Sequence, residues 1–365
     1  MKGVNLGNWL VLEKWMSPEL FDGLEAEDET YFCRELGPEK CWERLKVHRD
    51  TYITSRDFCD IAAKGFELVR IPVPFFLFED VGPYVHCVEY LDKAFDWAER
   101  YGLKILVDLH TVPGGQNGTD NSGICGICLW STKQEYVDFT ENVLEKIAQR
   151  YGHREGLWGI EILNEPMCRD TPCSDFMNIQ TMAMIYPPVD KELAKENENY
   201  TLAFLQDFYR RAYLRIRKYM PADKCVVFHD AFSPELWDEF FREEQFQNIV
   251  LDTHQYLMTV EHTFPEKTMP HYIDFLIELG KLISRVSKTI PVLVGEWCLS
   301  NAMIDTQQTS EEDAEIIYQQ LSKAYLDAMK DSVAWCYWTW RIHTNDISMD
   351  SWDAEKTINN GWLSM

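Results

Sequence analysis

The sequence predicts an α/β fold, a single (β/α)8 TIM barrel over residues 1–365 with extended loops at the C-terminal face of its strands. Three observations predict it. Eight short apolar or β-branched runs occur along the chain. Longer stretches of helical periodicity separate them. Almost every run ends on a polar or ionisable side chain. An open doubly wound sheet is the rival arrangement, but no GxGxxG follows the first run, which weakens a dinucleotide-binding version.

The elements follow in order. GVNLG at 3–7 is the first candidate strand, and FELVRIPV at 66–73 the second. LKILVDLH at 103–110, LWGIEILNE at 157–165 and KCVVFHD at 224–230 come next. IVLDTHQY at 249–256, IPVLVGEW at 290–297 and VAWCYWTW at 333–340 complete the eight. Helical patterns lie near 41–64, at 90–102, and near 132–150, 199–219, 268–288 and 310–330. In the second of these, Leu91, Phe95 and Ala98 recur at helical spacing and Gly102 reads as a C-cap. The stretch 167–198, rich in Cys, Met, Pro and charge, reads as a long loop after the fourth strand.

Composition narrows the partners. Of 365 residues, 46% are hydrophobic and 13% aromatic, ample for one large core. Sixty acidic against 35 basic residues give a formal net charge of −25. That excess repels phosphate backbones and anionic lipid, so no nucleic-acid or membrane partner is expected, and a neutral substrate is. The apolar run after Met1 is broken by Asn5, Asn8, Glu13 and Lys14, so no secretory signal is expected. No apolar run reaches the roughly 20 residues of a spanning helix. The eleven cysteines are odd in number and scattered, which points to a reducing cytoplasm rather than a disulfide framework.

The polar strand ends carry the chemistry. They are Arg70, His110, Asn164 with Glu165, Asp230, His254 with Tyr256, and Glu296. One such end is usually a satisfied edge group. Six of them on one ring, at the face where barrels build active sites, ask for a substrate. Glu165 and Glu296 lie on the fourth and seventh strands. Opposed carboxylates suit glycoside hydrolysis, one protonating the leaving oxygen while the other attacks the anomeric carbon. Arg70 can keep one ionised while apolar neighbours raise the pKa of the other. Tyr256 can donate to the nucleophile, His110 and His254 can hold sugar hydroxyls, and Asn164 can bind the 2-hydroxyl. Trp338, with Trp297 and Trp340 nearby, offers flat faces for a pyranose, with rim packing as the alternative use. The carboxylate pair supplies both proton and nucleophile, so neither metal nor cofactor is expected. Asn164-Glu165-Pro166 thus reads as an abrupt strand end that fixes an acid over the barrel mouth.

A separate constellation is the CxxC of Cys125 and Cys128 with the Cx4C of Cys168 and Cys173. Adjacent loops can bring all four together as structural zinc, with free thiols or disulfides as the alternatives.

These motifs also carry a resemblance. VRIPV with Arg70, LVDLH with His110, LNEP with Asn164 and Glu165, HQY with His254 and Tyr256, VGEW with Glu296 and YWTW with Trp338 resemble, in order and spacing, glycoside hydrolase family 5. The resemblance implies a retaining (β/α)8 β-glycosidase with Glu165 as acid/base and Glu296 as nucleophile. Three further segments resemble its exo-β-1,3-glucanase branch. GVNLGNWLVLEKWMSPELF places Glu13 at that branch's carboxylate for the terminal glucose. PGGQNGTDNSG places Asp120 and Asn121 at its hydroxyl-binding positions, and SWDAEKTINNGWL is similar to its C-terminal segment. Thr119 departs from the branch, which usually has a clamping phenylalanine there, and the 167–198 loop is unlike the fungal pattern. The implied substrate is a β-glucan oligosaccharide or β-glucoside, cut from the non-reducing end. A β-1,6-linked acceptor, a plant or lipid aglycone, or release of a disaccharide stays open within the class. A silent carbohydrate-binding barrel is disfavoured, because binding alone needs no paired carboxylates.

Overall fold

In the computed structural model, which describes residues 1–365, eight parallel strands close into a barrel in sequence order. They are β1 (Lys2–Asn5), β2 (Leu68–Val73), β3 (Lys104–Leu109), β4 (Leu157–Glu161), β5 (Cys225–His229), β6 (Ile249–His254), β7 (Val292–Trp297) and β8 (Ala334–Tyr337). Closure is made by β8 against β1, where Gly3 pairs with Cys336 and Val4 with Tyr337. An all-parallel sheet covered on both faces explains the near-continuous apolar runs.

The helices are α1 (Glu29–Thr51), α2 (Ser55–Ala63), α3 (Val88–Tyr101), α4 (Gln134–Tyr151), α5 (Ile179–Ile185), α6 (Leu202–Arg217), α7 (Trp237–Glu244), α8 (Leu257–Val260), α9 (Met269–Val286), α10 (Glu311–Ala328) and α11 (Ala354–Asn359). Gly102 caps α3 in the left-handed region, as its sequence predicts. None of the helices is long and apolar enough to cross a membrane.

Several boundaries differ from the sequence expectation. The single helix expected near 41–64 is two. The first, α1, breaks at Gly37 (φ 71°, ψ 168°) ahead of Pro38, and α2 starts anew from a Thr54/Asp57 capping box. The segment α7 carried no expectation. It has only eight residues, too few for periodicity to stand out, yet it buries Trp237, Phe240 and Phe241. The 167–198 loop holds α5, and a bridge from Cys168 to Tyr200 closes its base. The expected strand 157–165 ends at Glu161. Its backbone still follows the barrel, with Ile162 N donating to Val227 O and Asn164 N to Leu109 O.

Side chains inside the barrel stack in layers, because every second residue of a strand points inward. An apolar layer of Leu68, Leu106, Val227, Val250, Leu293 and Ala334 fills the N-terminal half. Two residues further on stand Arg70, Asp108, Glu161, His229 and Asp252, all buried. The outer faces pack against the helices in one cluster of 74 buried residues.

The proposed zinc constellation is not formed. All four cysteines are free, and no three of their sulfurs form a cluster of metal-ligand tightness. Cys128 Sγ points at Gln116 O and Cys173 Sγ at Ala231 O, so the two loops spend these thiols on backbone acceptors.

Candidate active site

The site rests on Arg70, which is fully buried in the middle of β2. Its Nε and Nη2 grip Glu161 of β4 as a fork, at 2.7 and 3.1 Å. Nη1 donates to Asn5 of β1 at 3.0 Å and to Glu296 of β7 at 2.8 Å. Nη2 also reaches Asn164 at 2.9 Å and Asp108 of β3 at 3.1 Å. One cation therefore fixes the strand ends that carry the chemistry. Burial pushes Glu161 well above the carboxylate range, against the pull of Arg70.

Glu296 accepts from Arg70 and, through its other oxygen, from the Tyr256 hydroxyl at 2.7 Å. The preceding Gly295 is required. Its N–H donates to Asp252 Oδ1 at 2.6 Å, and a Cβ there would run into the same carboxylate. Glu165 sits just past β4 at φ 44°, a left-handed conformation uncommon for a side-chain-bearing residue and frequent at functional sites. It accepts from Asn121 Nδ2 at 2.9 Å and from His254 Nδ1 at 2.8 Å.

His254 Nδ1 also lies 3.5 Å from Glu296, so one nitrogen touches both carboxylates. The sum of those two distances bounds the gap between the nearest carboxylate oxygens. That bound falls below the roughly 6.5–9.5 Å of inverting glycosidases and is compatible with the ~5–5.5 Å of retaining ones.

The sequence suggests that Arg70 keeps one carboxylate of the pair ionised; in the structure that part falls to His254 instead. Arg70 is shared among several carboxylates, and burial lifts Glu296 above its ordinary value despite His254 and Arg70. Burial also pushes on Glu165, but the hydrogen bond and charge of His254, helped by Asn121, hold it below its ordinary value. His254 is itself raised well above 6.5: burial opposes its charge, and Glu296, Asp252 and Glu165 overcome that. These charges favour the protonated ring of His254 beside Glu165.

The ligand atoms of Glu165, His229 and His254 lie within 4.8 Å of one another. This trio is not built for a metal. Ala231 N–H donates to His229 Nδ1 at 3.1 Å, which puts the ring proton on Nε2 and leaves neither nitrogen free to ligate.

The remaining expected residues divide. His110 is orientated by Asp108 through Nδ1 at 2.5 Å, and its ring stacks on Trp338 (5.7 Å, 12°). Glu13 is 5% exposed and accepts from Trp15 Nε1 at 2.9 Å. Burial, then the charge of Asp120, push Glu13 well above its ordinary value. Asp120 is likewise raised by burial, to about 6. Asn121 and His254 bind Glu165, a role the sequence did not assign to them. Trp297 and Trp340 are not site residues. Trp297 packs against Tyr325, Trp335 and Tyr337, and Trp340 donates to Asp57 beneath α2. Asp230 is a buried strand-end carboxyl at about 7, raised by burial, whose Oδ1 accepts from Phe232 N.

Asn5, Asp108, Glu161, His229 and Asp252 went unrecognised in the sequence. Asp108 precedes His110 by two residues and Asp252 precedes His254 by two, the spacing that puts both on one strand face, so a period-two count holds the missing signal. Tyr186 was also missed. The 167–198 segment leans on the 114–129 loop, where a Cβ at Gly126 (φ 67°) would lie 2.7 Å from Tyr186 O. Burial raises the Tyr186 phenol, and the charges of Asp120, Glu13 and Glu165 add to it. Thr119 offers no face. Its hydroxyl turns inward, 2.8 Å from Asn117 Oδ1.

Known proteins match this arrangement. The model of the family described as Cellulase (glycosyl hydrolase family 5) matches residues 36–344. The probable glucan 1,3-beta-glucosidase A of Aspergillus terreus is 31% identical over 99% of this chain and 87% of its own length. The glucan 1,3-beta-glucosidase of Kluyveromyces lactis is 30% identical, again over 99% and 87%. Among solved structures, rutinosidase from Aspergillus niger superposes with a TM-score of 0.77 at 22% identity, over 100% of this chain and 97% of that one, which shows the shared fold. A closed eight-stranded barrel, a carboxylate pair joined through one histidine, and matches of this extent agree, and the chain belongs to glycosyl hydrolase family 5.

Proposed function

We propose that this enzyme is a retaining, exo-acting glucan 1,3-β-glucosidase. The single observation that carries the chemistry is His254 Nδ1 lying 2.8 Å from Glu165 and 3.5 Å from Glu296. Glu296, aimed by Arg70 and Tyr256, attacks the anomeric carbon. Glu165 passes the proton held with His254 to the leaving oxygen. Once Glu296 is esterified its charge is gone, His254 loses its largest support, and Glu165 can take a proton from the incoming water.

The exo-action follows from the wall opposite. Glu13 is buried and Asp120 half-buried, close enough for the charge of Asp120 to raise Glu13, and the two suit paired hydrogen bonds with the hydroxyls of one terminal sugar. A chain continuing through those hydroxyls would leave buried acceptors unpaired, at about 1–3 kcal/mol each. The substrate class is a β-glucan, as the names of the relatives indicate, and we assign Tyr186, whose phenol feels the charges of Asp120, Glu13 and Glu165, to the side of the leaving sugar. The test is a time course on reduced laminaripentaose, with proton NMR of the released sugar. Glucose should appear first, as the β-anomer. Early mid-chain fragments would sink the pocket reading, and initial α-glucose would sink the retaining one.

A further inference from the structure

Beneath the pocket wall lies a second, smaller core of eight buried residues, which includes Leu12, Phe32, Cys33, Cys41 and Leu45. Cys33 and Cys41 stand on the two arms of α1. The break at Gly37 folds the arms so that the two sulfurs meet at 3.2 Å. Both cysteines are at most 1% exposed, while the tip between them, Pro38 to Lys40 included, faces solvent. The other site-proximal thiols contact carbonyl or hydroxyl oxygens, and this is the one hydrogen-bonded sulfur pair in the molecule.

We propose that Cys33 and Cys41 are a redox site, a dithiol that closes to an intramolecular disulfide and staples the platform under the substrate pocket. The reaction partner is a small disulfide such as oxidised glutathione. One cysteine thiolate attacks it, giving a mixed disulfide and one glutathione thiol. The second cysteine then displaces the other glutathione. One S–S bond forms in the protein and one breaks in glutathione, and the two thiol hydrogens end on the two glutathione thiols. Entry requires only local opening of the exposed α1 tip.

The platform connects to the pocket through its first turn. Glu29 Oε2 accepts from the N–H of Leu12, the residue before Glu13, at 3.1 Å. Asp28 caps α1 and also accepts from Cys125 N at 2.8 Å, in the loop that carries Asp120. A staple across α1 therefore steadies both loops that hold the terminal sugar, without touching the sugar.

The experiment exposes the full chain to oxidised glutathione or to dithiothreitol, alkylates it under denaturing conditions, and maps the peptides. The oxidised protein should carry two labels fewer than the reduced one, with Cys33 linked to Cys41. Its melting midpoint should rise by about 3–6 °C, as expected for a short closed loop in a domain of this size. The C33S/C41S variant should show no such rise, with turnover of an aryl β-glucoside unchanged. Full labelling after oxidation, or a bond between other cysteines, overturns the proposal. A midpoint shift that persists in C33S/C41S does so too. If that variant fails to fold, the peptide map of the unaltered protein still decides.

Discussion

Replacing Glu29 by Gln should flatten the pH dependence of stability. Glu29 is 1% exposed, and burial raises its carboxyl to about 7 from an ordinary 4.5, against the pull of Arg49. The sign follows from linkage. Below pH 4.5 both folded and unfolded chains hold the proton, and the favourable contribution is fully present. Between 4.5 and 7 the unfolded chain releases the proton and the folded one keeps it, so stability falls by about 1.4 kcal/mol per pH unit. Above 7 the loss is complete, at about 3 kcal/mol in all. Glutamine keeps the acceptor for Leu12 N–H and cannot ionise. Its amide nitrogen occupies the place of Oε1, which has no partner, so a fixed cost of about 1–3 kcal/mol applies at every pH. The pH-dependent part is separate from that cost. Urea unfolding of both proteins at pH 4.5 and pH 8 isolates it as a difference of differences. Glu29→Gln should lose about 3 kcal/mol less than the parent between the two pH values. Equal losses would refute the reasoning, because they would mean that Glu29 is ionised and solvated in the folded chain.

Three further outcomes concern catalysis. Glu165→Ala should lower kcat/KM of alkyl β-glucosides by roughly 10²–10⁴-fold and hardly change kcat/KM of a dinitrophenyl glucoside, whose kcat falls for want of the base in the second step and is restored by azide; steady-state kinetics on both substrates check this. His254→Asn removes the cation that opposes burial at both carboxyls, so the acid limb of kcat/KM, set by ionisation of Glu296, should move to higher pH in a pH–rate profile. Tyr186→Ala should lower kcat/KM on laminari-oligosaccharides by roughly 3–10-fold, the worth of one aromatic contact, and leave β-glucosyl fluoride unchanged, since fluoride needs no acceptor site.

The barrel was legible because its strands are short apolar runs separated by long amphipathic helices, and a count of eight admits few topologies. The catalytic ring was legible for a related reason. Glu165 and Glu296 are polar residues where an apolar run stops, and such interruptions stand out. Asp108, Glu161 and Asp252 were not, because each sits inside a strand and looks like a single blemish in an apolar run. Their purpose exists only as a set, around an arginine that sequence separates from all three. Trp297 and Trp340 misled for the opposite reason. Their proximity to Glu296 and Trp338 in sequence suggested a shared face, whereas the pleat sends Trp297 to the side opposite Glu296, and Trp340 lies past the end of β8, where strand alternation no longer applies. Tyr186 lay in a segment with no periodicity, and its role depends on how that segment folds back over the 114–129 loop.

The bonds of Arg70 to β1, β3, β4 and β7 bear on how such a protein can lose its activity over evolutionary time. Removing Arg70 would leave Glu161 and Asp108 buried without their counter-charge, a penalty of several kcal/mol, comparable to the whole stability of many domains. Glu165, just past β4, and Glu296, near the end of β7, can be exchanged with less damage underneath. Descendants that abandon hydrolysis and survive as sugar-binding proteins should therefore part with Glu165 or Glu296 first. They should still carry the arginine long after its original task has ended, because losing it leaves buried carboxyls without their partner.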